Sequence, residues 1–141
     1  MKFWDSSAVV PLLVEEAETA FVLDLYRRDP ELVAWWGAAV ECASALGRLE
    51  RGGKLDLAAA SVSLARLNAL REAWHEVQPG ERVRELAMRL LRVHELRAAD
   101  ALQLGAALQA CDNRPGALDF VCFDTRLVAA ARREGFNVIE A

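Results

Sequence analysis

Phe120-Val121-Cys122-Phe123-Asp124-Thr125 is an apolar run closed by an acid and followed at once by a helix start, with Leu127, Val128 and Ala131 behind it. A run apolar at every position reads as a strand buried on both faces, the habit of parallel sheets covered by helices. Lys2-Phe3-Trp4-Asp5-Ser6-Ser7 repeats the arrangement near the other end of the chain. In open α/β sheets, ligands bind in the crevice outside the carboxyl ends of the strands, where Asp5 and Asp124 are expected.

Between these two runs, strand-like and helix-like segments alternate, which predicts a parallel sheet flanked by helices. A short helix through Val9 to Val14 is followed by another over Ala17 to Arg28, which ends at Asp29-Pro30 because the residue before proline avoids helical geometry. Leu32 to Trp36 reads as a second strand. Ala38 to Arg51 is helical, with Val40, Ala43, Ala45, Leu46 and Leu49 on an apolar stripe and Gly52-Gly53 as the stop. Asp56 opens a helix that runs to about Trp74, and His75 to Gln78 reads as a third strand. Glu81 to Val93 and Arg97 to Ala110 are two more helices, Phe120 to Phe123 the fourth strand, and Asn137 to Ile139 the last.

With 141 residues, 54% of them hydrophobic and 27% charged, the chain suits one domain spanning residues 1–141 that builds its core without staples. The amino terminus lacks the apolar stretch of a signal peptide and no segment has the length of a membrane span, so a cytoplasmic protein with no membrane partner is expected. Cys42, Cys111 and Cys122 are odd in number and show no C-x-x-C spacing, which predicts reduced, buried thiols rather than disulfides or structural zinc. A net charge of −4 excludes a general basic field for nucleic acid, so any such contact must be local.

Two further acids occupy predicted helix starts. Glu41 interrupts Trp35-Trp36-Gly37-Ala38-Ala39-Val40, and Asp100 lies within Ala98-Ala99-Asp100-Ala101-Leu102. The positive end of each helix dipole tolerates the charge, and a hard cation would satisfy carboxylates surrounded by small apolar residues. Each acid also has a plain structural reading. Asp5 and Asp124 suit helix caps, Asp100 suits a first-turn acid, and Glu41 could pair with Arg48. Asp119, at the opposite end of the fourth strand, is the rival to Asp124, and with Asp112 reads as a loop or cap acid.

Asp5-Ser6-Ser7-Ala8-Val9-Val10, Glu41 in its small-residue helix, Arg97-Ala98-Ala99-Asp100-Ala101 and Phe120-Val121-Cys122-Phe123-Asp124 occur in the order of a PIN domain, and the chain resembles a VapC-type toxin ribonuclease along essentially its whole length. The resemblance implies a PIN-like three-layer α/β/α domain with a central parallel sheet of four to five short strands. It further implies a metal-dependent endoribonuclease, the toxin of a toxin–antitoxin pair, with an RNA substrate, a cognate antitoxin and a homodimeric state. Asp5, Glu41, Asp100 and Asp124 carry over as the acidic cluster, Asp5 and Asp100 as core ligands. A catalytically weak PIN-like scaffold that binds RNA or a partner is the alternative. Cys122 replaces the Thr or Ser often found two residues before the last acid, and Leu127 stands where an aromatic is common.

Oxygen ligands suit Mg²⁺, with Mn²⁺ possible. Ser6 is a candidate to orient a metal-bound water, although capping the following helix is the simpler role for Ser6 or Ser7. Arg97 and Arg126 are the arginines best placed in sequence to bind phosphate, with Arg48 a third. Trp4 and Trp35 are expected in the core and Trp36 at the surface, where it could stack on a base. His75 and His94 adjoin no acidic motif.

Overall fold

The computed structural model describes all 141 residues. Five strands, β1 (Lys2–Trp4), β2 (Leu32–Trp35), β3 (His75–Val77), β4 (Asp119–Val121) and β5 (Val138–Ile139), form one sheet in the order β3-β2-β1-β4-β5. Every pairing is parallel. Phe3 pairs in register with Val33 on one side and Phe120 on the other, and the rings of Phe3 and Phe120 stack 5.3 Å apart. The alternation of side chains along β1 directs Phe3 and Trp4 to opposite faces, and both are fully buried.

Seven α-helices cover the sheet: α1 (Ser6–Leu13), α2 (Thr19–Arg28), α3 (Ala38–Arg51), α4 (Leu57–Ala73), α5 (Glu81–Val93), α6 (Ala98–Ala110) and α7 (Thr125–Glu134). From β1 the chain steps outward to β2 and β3, then returns to the far side of β1 for β4 and β5. Right-handed crossovers taken in opposite directions place their helices on opposite faces. Accordingly, α1 packs with α2, α3 and α4, while α6 packs with α5 and α7. The three-layer α/β/α architecture expected from the sequence is the one observed.

Several boundaries differ from the sequence reading. The first helix begins at Ser6, the start expected after Asp5, and ends at Leu13 rather than Val14, and the second begins at Thr19 rather than Ala17. Strand β2 ends one residue early at Trp35. Strand β4 runs from Asp119 to Val121, so Asp119 starts the strand instead of preceding it, and Cys122 and Phe123 lie beyond it. The apolar run misleads there because burial continues past the ladder. Cys122 still donates its backbone N–H to Ile139 at 3.1 Å and is fully buried.

Gly105 explains how closely α5 and α6 approach. A Cβ at this position would lie 3.1 Å from the Val83 carbonyl oxygen and 3.2 Å from the Ala87 nitrogen. Glycine in a helix interior costs about 1 kcal/mol relative to alanine, a cost offset by the close contact. That contact matters because α6 carries Asp100. All three cysteines are free and buried, as expected, and burial pushes the Cys42 thiol up to about 12. No helix is long and apolar enough to cross a membrane.

Candidate metal centre

The direction of travel across the sheet reverses at β1, so β1 and β4 flank a topological switch point, the position where open α/β sheets bind ligands. A cleft of about 460 Å³ opens there, lined by Asp5, Glu41, Asp100 and Asp124 together with Ser6, Ser7, Ser44 and Arg48. Four acids remote in sequence share this cleft because β1 and β4 deliver their following residues to the same edge, and α3 and α6 both begin at it.

Asp5 is the most buried of the four, with 3% exposure. It follows β1 directly, and its backbone N–H extends the ladder to Val121 at 2.9 Å. It is also the N-cap of α1, its Oδ2 accepting hydrogen bonds from the Ser7 backbone N–H and the Ser7 hydroxyl. Capping thus falls to Asp5 and not to Ser6 or Ser7. The Cys122 thiol lies 3.6 Å from the same oxygen, the long reach of a weak sulfur donor. Ser7, read from the sequence only as a possible cap, is instead the donor that holds Asp5. It also accepts the Phe123 backbone N–H at 3.0 Å, joining α1 to the segment after β4.

Glu41 lies in the first turn of α3 and accepts a 2.7 Å hydrogen bond from Gln103 Nε2 to its Oε2. Ser6 lies near enough to Glu41 to favour its ionised form slightly. The ion pair with Arg48 weighed from the sequence does not form; the Arg48 guanidinium reaches back to the Ser44 hydroxyl instead. Asp100 occupies the first turn of α6, and Asp124 caps α7 by accepting the Leu127 N–H on Oδ1 at 3.0 Å. One oxygen each of Asp5, Glu41 and Asp124 is therefore held by protein donors. Such partners fix the orientation of a ligating carboxylate.

The electrostatics follow from this crowding. Burial raises the carboxyl of Glu41 to about 7, assisted by the neighbouring charges of Asp5 and Asp100. Burial likewise lifts Asp5, against the hydrogen bonds from Ser7, and lifts Asp100, with Asp124 adding repulsion. Like charges this close disfavour one another's ionised forms, and a cation would reverse the sign of that balance.

As the side chains stand, no three His, Cys, Asp or Glu residues are arranged to hold a metal ion between them. The donor set nonetheless fits a hard cation. Mg²⁺ takes one or two carboxylates and retains several waters, so oxygen donors spread around an open cleft suit it better than they would suit zinc. Asp5, Glu41, Asp100 and Asp124 are the residues that would hold such an ion.

The basic residues rank differently from the sequence reading. Arg48 lines the cleft, whereas Arg97 and Arg126 do not. Arg97 is the N-cap residue of α6, and both arginines are near enough to Asp100 to lower its pKa against burial. Spacing along the chain placed them beside acids, but helix phase turned Arg48 towards the cleft: it lies two turns after Glu41, on the same face. Asp119 is excluded from the cleft by its place at the start of β4, where Asn137 donates to it at 2.9 Å. His94 is engaged elsewhere, bonded to Glu134, which Arg89 also holds. Burial opposes ionisation of Glu134, yet those two donors outweigh it and lower its pKa. His75 is exposed on the β3 edge of the sheet. Trp4 and Trp35 are buried, and Trp36 is 48% exposed.

No family model and no curated protein sequence matches the chain. Solved structures do. One is VapC20 of Mycobacterium tuberculosis, described as a sarcin–ricin loop cleaving toxin, at 18% identity and a TM-score of 0.70, with 96% of each chain covered. FitAcB of Neisseria gonorrhoeae matches at 16% identity and a TM-score of 0.68, covering 99% of this chain and 96% of its own. A toxin–antitoxin complex from Klebsiella pneumoniae matches at 14% identity and 0.66, again covering 99% of this chain and 96% of its own. At such identities the likeness establishes the fold, which is PIN-like along nearly the entire chain.

Proposed function

We propose that the protein is a metal-dependent endoribonuclease that hydrolyses RNA phosphodiester bonds and acts as the toxin of a toxin–antitoxin pair in the cytoplasm. The observation that carries this reading is the meeting of Asp5, Glu41, Asp100 and Asp124 in one cleft at the switch point of the sheet. The solved toxins of the same fold support the biological role.

When bound, Mg²⁺ or Mn²⁺ would neutralise the carboxylates and supply Lewis acidity towards a phosphodiester. The chain's own residues do the positioning. Asp5 and Asp100 stand as the core ligands, one fixed by Ser7 and the other by the start of α6. Glu41 and Asp124 complete the negative site from α3 and α7. Ser6 lines the same cleft, near enough to Glu41 to favour its ionised form. Arg48 offers the one guanidinium lining the cleft, and the next phosphate along a bound strand is its natural partner. Arg97 and Arg126 extend the basic margin beyond Asp100.

The direct test is incubation of a mixed cellular RNA pool with the purified protein in EDTA, Mg²⁺ or Mn²⁺. Cleavage confined to the metal-containing reactions is expected; equal cleavage in EDTA, or metal binding without any cleavage, would defeat the nuclease reading. Arg48→Ala should raise KM for RNA about tenfold, on the order of 1.4 kcal/mol, with kcat and Mn²⁺ affinity nearly unchanged. A matching fall in kcat would instead place Arg48 against the reacting phosphate.

Exposed apolar side chains give a home to the partners. Leu57, Val62 and Leu64 on α4, and Met88, Leu91 and Val93 on α5, are all uncovered. Patches of this kind mark protein contacts. We assign them to self-association and to the antitoxin. Light scattering should give twice the monomer mass across a range of concentrations, and a strictly monomeric profile would remove the dimer.

A further inference from the structure

Gln103 is the polar side chain buried most deeply beside the cleft, with 0% exposure, in a helix otherwise made almost entirely of alanine, leucine and glycine. It follows Asp100 by three residues on α6, so the two share a helix face. Its Nε2 donates to Glu41 Oε2 at 2.7 Å, while its buried Oε1 has no partner among the protein's donors. An unsatisfied buried carbonyl oxygen costs stability, and an apolar residue of the same volume would avoid that cost. The core gains nothing from glutamine here except the bond to Glu41.

That bond spans the architecture. Glu41 belongs to α3, which packs with α1 and α4, whereas Gln103 belongs to α6, which packs with α5 and α7 on the opposite face. The carboxamide reaches over the carboxyl edge of the sheet and joins the two helical layers at the cleft. A glutamate on a solvent-facing helix turn has several rotamers of similar energy, and a short hydrogen bond from an immobilised donor selects one of them.

We propose that Gln103 is a positioning residue, which holds the Glu41 carboxylate in the cleft and sets its spacing from Asp100. The metal-binding consequence rests on the nuclease reading; the orientation of Glu41 does not. Outer partners of metal ligands typically change affinity by about 10- to 100-fold when removed, and that range is expected for Mn²⁺ binding by Gln103→Met. Methionine keeps the length and volume but cannot donate.

The experiment combines Mn²⁺ titration by calorimetry, thermal unfolding and a crystal structure of the metal-free variant. The proposal expects weaker Mn²⁺ binding, a melting temperature within a few degrees of wild type, and a displaced Glu41 side chain. It also expects Gln103→Met to add no further loss in a Glu41→Gln background, since it acts through that residue. Unchanged affinity, or full additivity with Glu41→Gln, overturns it. Should Gln103→Met fail to fold, Gln103→Leu serves instead: it removes the donor without burying a new acid, and is expected to release Glu41 from its place. If the wild type itself binds no Mn²⁺, the nuclease reading falls, and Glu41 unmoved in the variant crystal would separately sink the positioning role.

Discussion

Asp5→Asn is expected to reduce metal-dependent RNA cleavage at least about a hundredfold, the scale set by losing a ligand that acts with its neighbours as a unit, while the fold is retained. The side chain that Asn replaces has two roles that separate cleanly. As N-cap of α1 it accepts the Ser7 backbone N–H, and asparagine caps a helix about as well as aspartate. As an acid it contributes charge to the cleft, which asparagine removes without changing shape. Burial already raises the pKa of Asp5, so neutralising it relieves strain in the metal-free protein. Unfolding curves of the variant should match or exceed those of the wild type even as cleavage and Mn²⁺ binding fall. A variant that cuts RNA at the wild-type rate would remove Asp5 from the site; a variant that unfolds readily would show that the fold needs the carboxylate itself in its bonds to the Ser7 hydroxyl and the Cys122 thiol.

Glu41→Gln should stabilise the metal-free protein above pH 7. The carboxyl of Glu41 titrates at about 7 in the fold against an ordinary 4.5, because burial and the charges of Asp5 and Asp100 oppose its ionisation. A raised carboxyl pKa makes the folded state the stronger proton binder, so the native protein is favoured below pH 4.5 and loses stability as pH climbs from there to about 7. At about 1.4 kcal/mol per pH unit the difference amounts to roughly 3 kcal/mol, and solvent reaching this half-buried side chain reduces it to about 1–2 kcal/mol. Glutamine carries no charge and still presents an oxygen to Gln103. Denaturant midpoints of the two proteins should therefore coincide near pH 4.5 and separate by pH 8, the variant being the more stable. Added Mn²⁺ should reverse the order by binding the native wild type more tightly. A gap that stays constant with pH would assign the effect to packing instead of charge.

These two expectations share a physical basis. The cleft is a place where the chain tolerates repulsion between carboxylates, and functional sites commonly run against stability in this way. Gln103 repeats the pattern with a buried oxygen that finds no partner.

Much of the molecule was legible in the residues alone. The apolar runs Phe3-Trp4 and Phe120-Val121, the glycine stop after Arg51, the Asp56 cap and the helical span Glu81–Val93 are local signals, each decided by neighbours a few positions away. Such signals specify strands, helices and their alternation, and with them a parallel sheet whose acids must lie at its carboxyl edge. Periodicity has no means of reporting which side chains meet across that edge. Strand order, with its reversal at β1, decided that Asp5 and Asp124 flank one crevice and that Asp119 is left at the other end of β4. Helix phase decided that Arg48, and not Arg97 or Arg126, faces the acids. The partners of the carboxylates, Ser7 for Asp5 and Gln103 for Glu41, come from hydrogen bonds made only after the layers have packed. Local sequence sets the conformation of a segment because its determinants are short-ranged, whereas the chemistry of the cleft depends on distances between residues that only the assembled sheet and its two helical layers bring together.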